Sequence, residues 1–399
     1  MAKNANGEGS IYKRTREGRP AGYVAALTFT DGDGDTQRLR VYGITRADAR
    51  DKLKKARERI ENGAPARDAT MPVGAWLAHW RATTLAVSDR KQATRELYSN
   101  LSRLHLEPEP FGATRLDKLK PSNVEKLVLA MRAKTKPGPK GVDGKPGEPI
   151  RALSDSTIRS TYTVLRAGLD GAVRDGLLAK NPAAAVKRPG VERAEAKHLD
   201  QAAVAQVLAA AQDSRYHSAL VLIAATGLRR GEVLALAWDR VDFDARTLKV
   251  AATIGRIGGQ LVTSAPKTER SRRTVPLSPP VVELLRKHRA SQAAERLRAG
   301  DQWQDSGLVF TTELGRPVDP RNLLRTMEVA AKAAGVNDVG LHTIRHSAAV
   351  AWLEQGVHIK AVADLLGHSS IAITGDIYGH TSDDTARAAV DGLSASLGL

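Results

Sequence analysis

The spacing of apolar positions changes along this chain. Between residues 9 and 43 apolar and polar residues alternate, the rhythm of half-buried strands. Three runs carry it: Ser10-Ile11-Tyr12-Lys13, Gly22 to Phe29, and Arg38 to Tyr42, the last two joined by an Asp-Gly turn at Asp31 to Asp35. That turn does not read as an EF-hand. Counted from Asp31, the sixth and twelfth positions need Gly and Glu but hold Thr36 and Tyr42. A helix follows from Ala47 to Ile60, with Thr45 as N-cap and Asn62-Gly63 as stop. After an Ala/Pro linker over residues 64–70, the period becomes helical from Val73 to about Ala184. Val73, Trp76, Leu77 and Trp80 form a stripe that reads as core before it reads as a base-stacking surface. Leu119 to Glu125 carries a helix-start signal, and Ser154-Asp155-Ser156-Thr157 begins another helix that runs to about Ala172. Between them, Lys134 to Pro149 is rich in Gly, Pro and Lys and lacks periodicity, so a mobile loop is expected. Its lysines either touch a polyanion or are merely solvated.

Residues 186–198, rich in Lys, Arg, Glu and Pro, read as a second linker. Helices dominate from Leu199 onward. Two short strands are expected at Thr247–Thr253 and Gly259–Thr263, with Thr274 to Leu277 pairing as a third. Helices are then expected over 279–299, 320–334, 342–355 and 358–366, followed by a helical tail over 383–397. No internal repeat is evident.

Composition narrows the class. A chain of 399 residues with 42% hydrophobic positions can bury two or three cores. Aromatics are only 4%, and Ala and Leu dominate the apolar set, which favours helices. The net charge is +17 and the pI about 10.1, which points to a polyanionic partner. Residues 69–194 hold 22 Lys and Arg against 12 Asp and Glu, whereas residues 195–399 hold 24 against 22. The first half therefore grips phosphates broadly, and the second uses its cations at particular places. Without cysteine, disulfides and Cys-ligated zinc are excluded. Met1-Ala2-Lys3-Asn4 opens no apolar signal core, and the run Ala219 to Ala225 is too short to span a bilayer. A cytoplasmic protein acting on DNA, with no membrane partner, is expected.

The candidate chemistry lies in the second half. Thr226-Gly227-Leu228-Arg229-Arg230-Gly231-Glu232 is followed by Lys267, by His342-Thr343-Ile344-Arg345, by Leu366-Gly367-His368, and by Tyr378. Arginines neutralise phosphate oxygens through paired hydrogen bonds. Histidines move protons near neutral pH, and a tyrosine hydroxyl can attack phosphorus covalently. Together these are the groups that breaking a phosphodiester bond without a metal would require. Arg229 is expected to open a helix, where free backbone N–H groups also attract phosphate. His342 and Arg345, at i and i+3, share a helix face. His342 and His346 have zinc-pair spacing, but a zincin needs Glu where Thr343 stands, so no metal is expected. His346 reads as a packing residue, Arg230 as a surface arginine, and Tyr216 lacks a companion motif.

In these residues, and in their order, the C-terminal half resembles the tyrosine recombinases, or phage integrases. The resemblance implies a multidomain, mainly α protein with small β-sheets. An arm-type DNA-binding domain of three strands and a helix would span residues 1–63. A helical core-binding domain would span 70–186, and a mixed α/β catalytic domain 195–399. It implies catalytic roles for Arg229, Lys267, His342, Arg345, His368 and Tyr378, with Glu232 supporting Arg229. Tyr378 follows His368 by ten residues, one more than in many members. A ribbon of strands can enter a major groove, so Tyr12, Lys13, Arg14, Arg16, Arg19, Arg38 and Arg40 are candidate DNA contacts, the alternative being a solvated sheet face. The implied activity is site-specific integration or excision through a 3′-phosphotyrosine, with no cofactor. Double-stranded attachment sites are the implied partners and a homotetramer on DNA the assembly, its C-terminal tail docking on a neighbour or packing in cis. A directionality factor and a host DNA-bending protein are candidate partners. A non-catalytic DNA-binding regulator and a type IB topoisomerase are the alternatives.

Overall fold

The computed structural model describes residues 10–16, 19–30, 36–61, 70–140, 145–192, 197–266, 271–368 and 370–378, together with Asp391 and Ser394. The chain divides into two compact units, Met1–Arg193 and Ala194–Leu399. No helix among the described residues is long and apolar enough to cross a membrane.

The first unit opens with an antiparallel sheet in the order β1 (Ser10–Arg16), β2 (Arg19–Thr30), β3 (Thr36–Gly43), followed by α1 (Arg46–Glu61). Thr45 caps α1 as expected, its hydroxyl accepting the Asp48 N–H at 3.1 Å while the Asp48 carboxylate accepts the Ile44 N–H at 2.9 Å. Strand alternation sends Ala25 and Leu27 onto Ala49 and Leu53 of α1. The register pairs Tyr12 with Val24 and Val24 with Tyr42, so Tyr12 and Tyr42 share the opposite face. Arg38, paired with Thr28, and Arg40, paired with Ala26, lie on that face too. Arg14 joins them, its guanidinium 5.0 Å from the Tyr42 ring centroid. Lys13 pairs with Tyr23 and so occupies the α1 side, apart from the other candidates. Arg16 and Arg19 pair at the closed end of the first hairpin.

The same unit contains a helical bundle: α2 (Val73–Trp80), α3 (Gln92–Leu101), α4 (Pro121–Ala133) and α5 (Asp155–Arg174). The tryptophan stripe is core. Trp76 and Trp80 are each 2% exposed, and the Trp76 indole donates to the Gly168 carbonyl at 2.8 Å. Both helix-start signals hold. Asn123 Oδ1 accepts the Lys120 N–H at 2.8 Å, and Ser154 Oγ accepts the Thr157 N–H at 3.2 Å. One expectation fails. Much of the stretch read as a mobile loop is a hairpin, β4 (Thr135–Lys140) paired with β5 (Pro146–Arg151). Interstrand hydrogen bonding needs no apolar periodicity, so the sequence did not signal it.

In the second unit, α6 (Gln201–Ala210), α7 (His217–Thr226) and α8 (Arg230–Leu234) precede β6 (Val241–Asp242), β7 (Thr247–Val250), β8 (Thr253–Ile257), β9 (Gln260–Ser264) and β10 (Arg273–Pro276). Then come α9 (Pro279–Ala299), α10 (Pro320–Ala333), α11 (Leu341–Glu354), α12 (Ile359–Leu366) and α13 (Ile371–Tyr378). The strand expected over Thr247–Thr253 is broken at Ala251-Ala252, and its two halves join different sheets. β7 lies between β10 and β6, while β8 pairs with β9. The core gathers Leu220, Ile223, Leu234, Leu248, Leu285, Phe310 and Ile344. Lys267 and residues 379–390 of the tail lie outside the described residues.

Removing the buried Trp76 ring should cost about 3–5 kcal/mol. Urea unfolding of Trp76→Ala should show that loss in the helical bundle; a cost under about 1 kcal/mol would return the ring to a surface role.

Candidate active site

The C-terminus of α12 organises the site. A helix leaves its last carbonyls without intrahelical partners and carries partial negative charge there. Three successive carbonyls at this end each accept from a different arginine. Arg273 Nε donates to Leu365 O at 2.6 Å, Arg345 Nη2 to Leu366 O at 2.7 Å, and Arg229 Nη2 to Gly367 O at 3.1 Å. Arg345 also donates to Gly227 O at 2.5 Å, tying the end of α7 to the end of α12. Gly367 turns the chain with φ 64°, and a Cβ there would come within 2.9 Å of Arg273 Nη1. Only glycine therefore combines this left-handed turn with so close an arginine.

Glu232 is the anion at the centre. Its carboxylate accepts from Arg229 Nη1 at 2.8 Å, from the Arg229 backbone N–H at 2.9 Å, and from Arg273 Nη2 at 2.9 Å and Nη1 at 3.3 Å. Burial pushes its pKa up, but the hydrogen bonds and charges of Arg273 and Arg229 outweigh this and hold it below the usual carboxylate range. Glu232 therefore supports Arg229, and the helix Arg229 opens is a single turn. The side chain of Arg229 is 35% exposed and that of Arg273 only 7%, while residue Arg345 is 4% exposed. Of the three, Arg229 is the most open to a ligand.

The histidines stand in the field of these cations. His368 follows Gly367, and its Nδ1 lies 2.9 Å from the buried Thr374 hydroxyl of α13. Burial first, then Arg345 and Arg229, lower its pKa to about 4. His342 is exposed on α11. Desolvation of its ring, then the charges of Arg345, Arg230 and Arg229, lower its pKa. His346 is half-buried, its pKa also lowered by burial and then by His342. Thus the i, i+3 pair shares a helix but not an environment: Arg345 turns inward and His342 outward. Tyr378 ends α13, the helix whose Thr374 touches His368; the position of its side chain lies outside the described residues.

The sequence reading missed Arg273 and Thr374. Arg273 stood only as one member of a basic loop, yet it lies two residues before Val275, which is 1% exposed. An arginine on the core-facing side of a strand requires a buried partner, and that period-two signal was available. Thr374 gave no such signal. In the N-terminal sheet, Tyr42 was missed beside Arg14.

Arginines held by a buried carboxylate, with histidines of lowered pKa nearby, are groups that can stabilise a phosphoryl group. The Phage integrase family matches residues 197–385, which include all of these side chains. A tyrosine recombinase XerC of Mycobacterium sp. (strain KMS) is 31% identical over 230 residues, spanning 55% of this chain and 70% of that protein. A XerC-like tyrosine recombinase of Caldanaerobacter subterraneus subsp. tengcongensis is 29% identical over 412 residues, spanning 99% of both. Among solved structures, the Tn1549 transposon integrase in complex with transposon right end DNA shares the fold, with a TM-score of 0.64 at 21% identity over 81% of this chain and 100% of that one. The chain belongs to the phage integrase family, the tyrosine recombinases. It is a site-specific integrase, an enzyme that cuts and rejoins DNA, and neither the regulator nor the topoisomerase alternative is favoured.

Two outcomes follow from this geometry. Arg273→Lys keeps the charge but cannot reproduce the paired bonds to Glu232. Strand cleavage should fall about 100-fold while DNA affinity stays nearly constant, as a single-turnover cleavage assay beside a binding titration would show. Equal loss of binding and cleavage would instead mark a folding defect. Second, His368 binds its proton more weakly when folded than when unfolded. Its contribution to stability is present above about pH 6.5 and is lost as pH falls toward about 4. Thermal melts of the wild type should steepen in that window relative to His368→Gln; parallel profiles would contradict the depressed pKa.

Proposed function

We propose that this integrase cleaves DNA through Tyr378. The supporting observation is that Arg229 and Arg345 donate to successive carbonyls, Gly367 and Leu366, directly before His368 and the segment leading to Tyr378. In this reading the Tyr378 hydroxyl oxygen attacks the scissile phosphorus in line. The bond from phosphorus to the 5′ oxygen breaks, leaving a 3′-phosphotyrosine. Lys267 gives its proton to the departing 5′ oxygen, and His342 takes the proton of the tyrosine. The lowered pKa of His342 keeps its ring neutral at pH 7 and able to accept that proton. Arg229 and Arg345 stabilise charge on the non-bridging oxygens. A guanidinium has five donors, so anchoring to carbonyls is compatible with binding phosphate. His368, also neutral, donates a hydrogen bond to the same phosphoryl group when Thr374 donates to its Nδ1. The 5′-hydroxyl of a partner strand then reverses the step, and the phosphotyrosine retains the bond energy.

The separate apolar clusters of the sheet, the bundle and the second unit support a division into an arm domain (1–63), a core-binding domain (70–186) and a catalytic domain (195–399). Tyr12, Arg14, Arg38, Arg40 and the added Tyr42 share one sheet face, which supports DNA contact there. Lys13 belongs to the other face, and Arg16 and Arg19 to the hairpin end. The substrate is a pair of duplex attachment sites in the cytoplasm, integrating or excising a mobile element. Exchange of two duplexes needs four cleavages, which supports a homotetramer. A directionality factor and a host DNA-bending protein would set the outcome.

Incubated with attachment DNA, without metal or ATP, the wild type should yield an SDS-resistant adduct mapping to Tyr378. Tyr378→Phe should bind equally well and form none; an adduct in that variant would remove Tyr378 from the nucleophile's role.

A further inference from the structure

The β4–β5 hairpin has no part in the catalytic site. Both strands are edges: neither has a second strand neighbour among the described residues. Every described residue of the two strands is exposed except Gly138 and Gly147. At the base of the ribbon the Ala152 N–H donates to Lys134 O at 2.8 Å, and Arg151 forks onto Asp155 at the start of α5 at 2.8 and 3.2 Å. A two-stranded hairpin with no sheet or helix against it is marginal in water. This one is further weakened by Pro137, Pro139, Pro146 and Pro149, which donate no hydrogen bonds. At Gly138 the strands approach so closely that a Cβ would lie 2.2 Å from Glu148 O. No residue of the ribbon belongs to an apolar core among the described residues.

Its chemistry selects the partner. The prolines make both edges poor templates for strand addition, which argues against capture of another chain by β-pairing. Its exposed charges are mainly basic: Lys134 just before β4, Lys136 on it, and Lys145 just before β5, with Glu148 the acid among them. Six residues of strand reach roughly 20 Å, enough to follow a groove about 12 Å wide. Resting on the DNA-binding reading above, we propose that the β4–β5 ribbon is a DNA-gripping arm of the helical bundle, its lysines bonding the phosphate backbone of the duplex. It would add affinity and register without reading base sequence.

The test uses the full-length protein and a mixed-sequence duplex of about 30 base pairs, because the phosphate contribution is independent of sequence. Lys134→Gln/Lys136→Gln is compared with a charge-matched control, Lys287→Gln/Lys332→Gln. Each lost phosphate contact lowers the slope of log affinity against log salt by roughly 0.9. The ribbon variant should lose nearly two units of slope and about tenfold in affinity, while the control keeps the wild-type line. An unchanged ribbon variant, with wild-type binding intact, would overturn the arm and leave the integrase reading standing. An equal fall in both variants would overturn it too, since general charge would then be the cause. An unchanged slope with altered sedimentation of the DNA-free protein would assign the ribbon to a second copy of the chain. If the wild type itself fails to bind duplex, the DNA-binding reading fails first and the arm with it.

Discussion

Capping of the α12 C-terminus by three arginines is the interaction on which the arrangement of the second unit depends. A helix end demands donors for its open carbonyls, and cations satisfy both that demand and the local negative charge. Here the donors come from Arg273 on β10, Arg345 on α11 and Arg229 just before α8. One short helix terminus therefore draws a strand and two helices to a single point. Arg229 is the most open of the three, and His368 follows the same turn.

Close packing of like charges would be costly without an anion among them. Glu232 supplies it, buried between Arg229 and Arg273. Removing that carboxylate would leave guanidiniums uncompensated in a dry environment, a defect of about 3–5 kcal/mol for a buried pair. Burial first, and then neighbouring cations including Arg345, lower the pKa values of His342, His346 and His368. A phosphate entering the site brings negative charge, which raises histidine pKa values. The site is thus set to favour an anionic ligand and to respond to it by making its histidines more basic.

Electrostatic labour is divided along the chain. The surplus of cations over residues 69–194 is carried on exposed side chains, including those of the ribbon, where salt screens them strongly. The second unit has a smaller excess, and its Arg229, Arg273 and Arg345 are held by carbonyls and by Glu232. Diffuse attraction and defined chemistry therefore reside in different units of the protein.

Much of this was legible in the sequence because its causes are local. Thr45, Asn123 and Ser154 cap helices through groups within three or four residues, and the Trp76 stripe follows the helical period. The order of TGLRRGE, HTIR and LGH identified the family before any coordinates. Other features arise from partners far apart in the chain. Arg273 meets Glu232 across 41 positions and Leu365 across 92, and Arg229 reaches Gly367 across 138. No periodicity encodes such separations, so the role of Arg273 and the depressed pKa of His368 emerged only with packing. The side of the sheet that Lys13 occupies was settled by strand register, and the pairing of β10 with β7 by the break at Ala251-Ala252. The sequence alone determined which chemical groups this protein possesses and which helices carry them. Tertiary structure decided which groups are buried, which are charged and which face a ligand, because those properties depend on neighbours that only folding brings together.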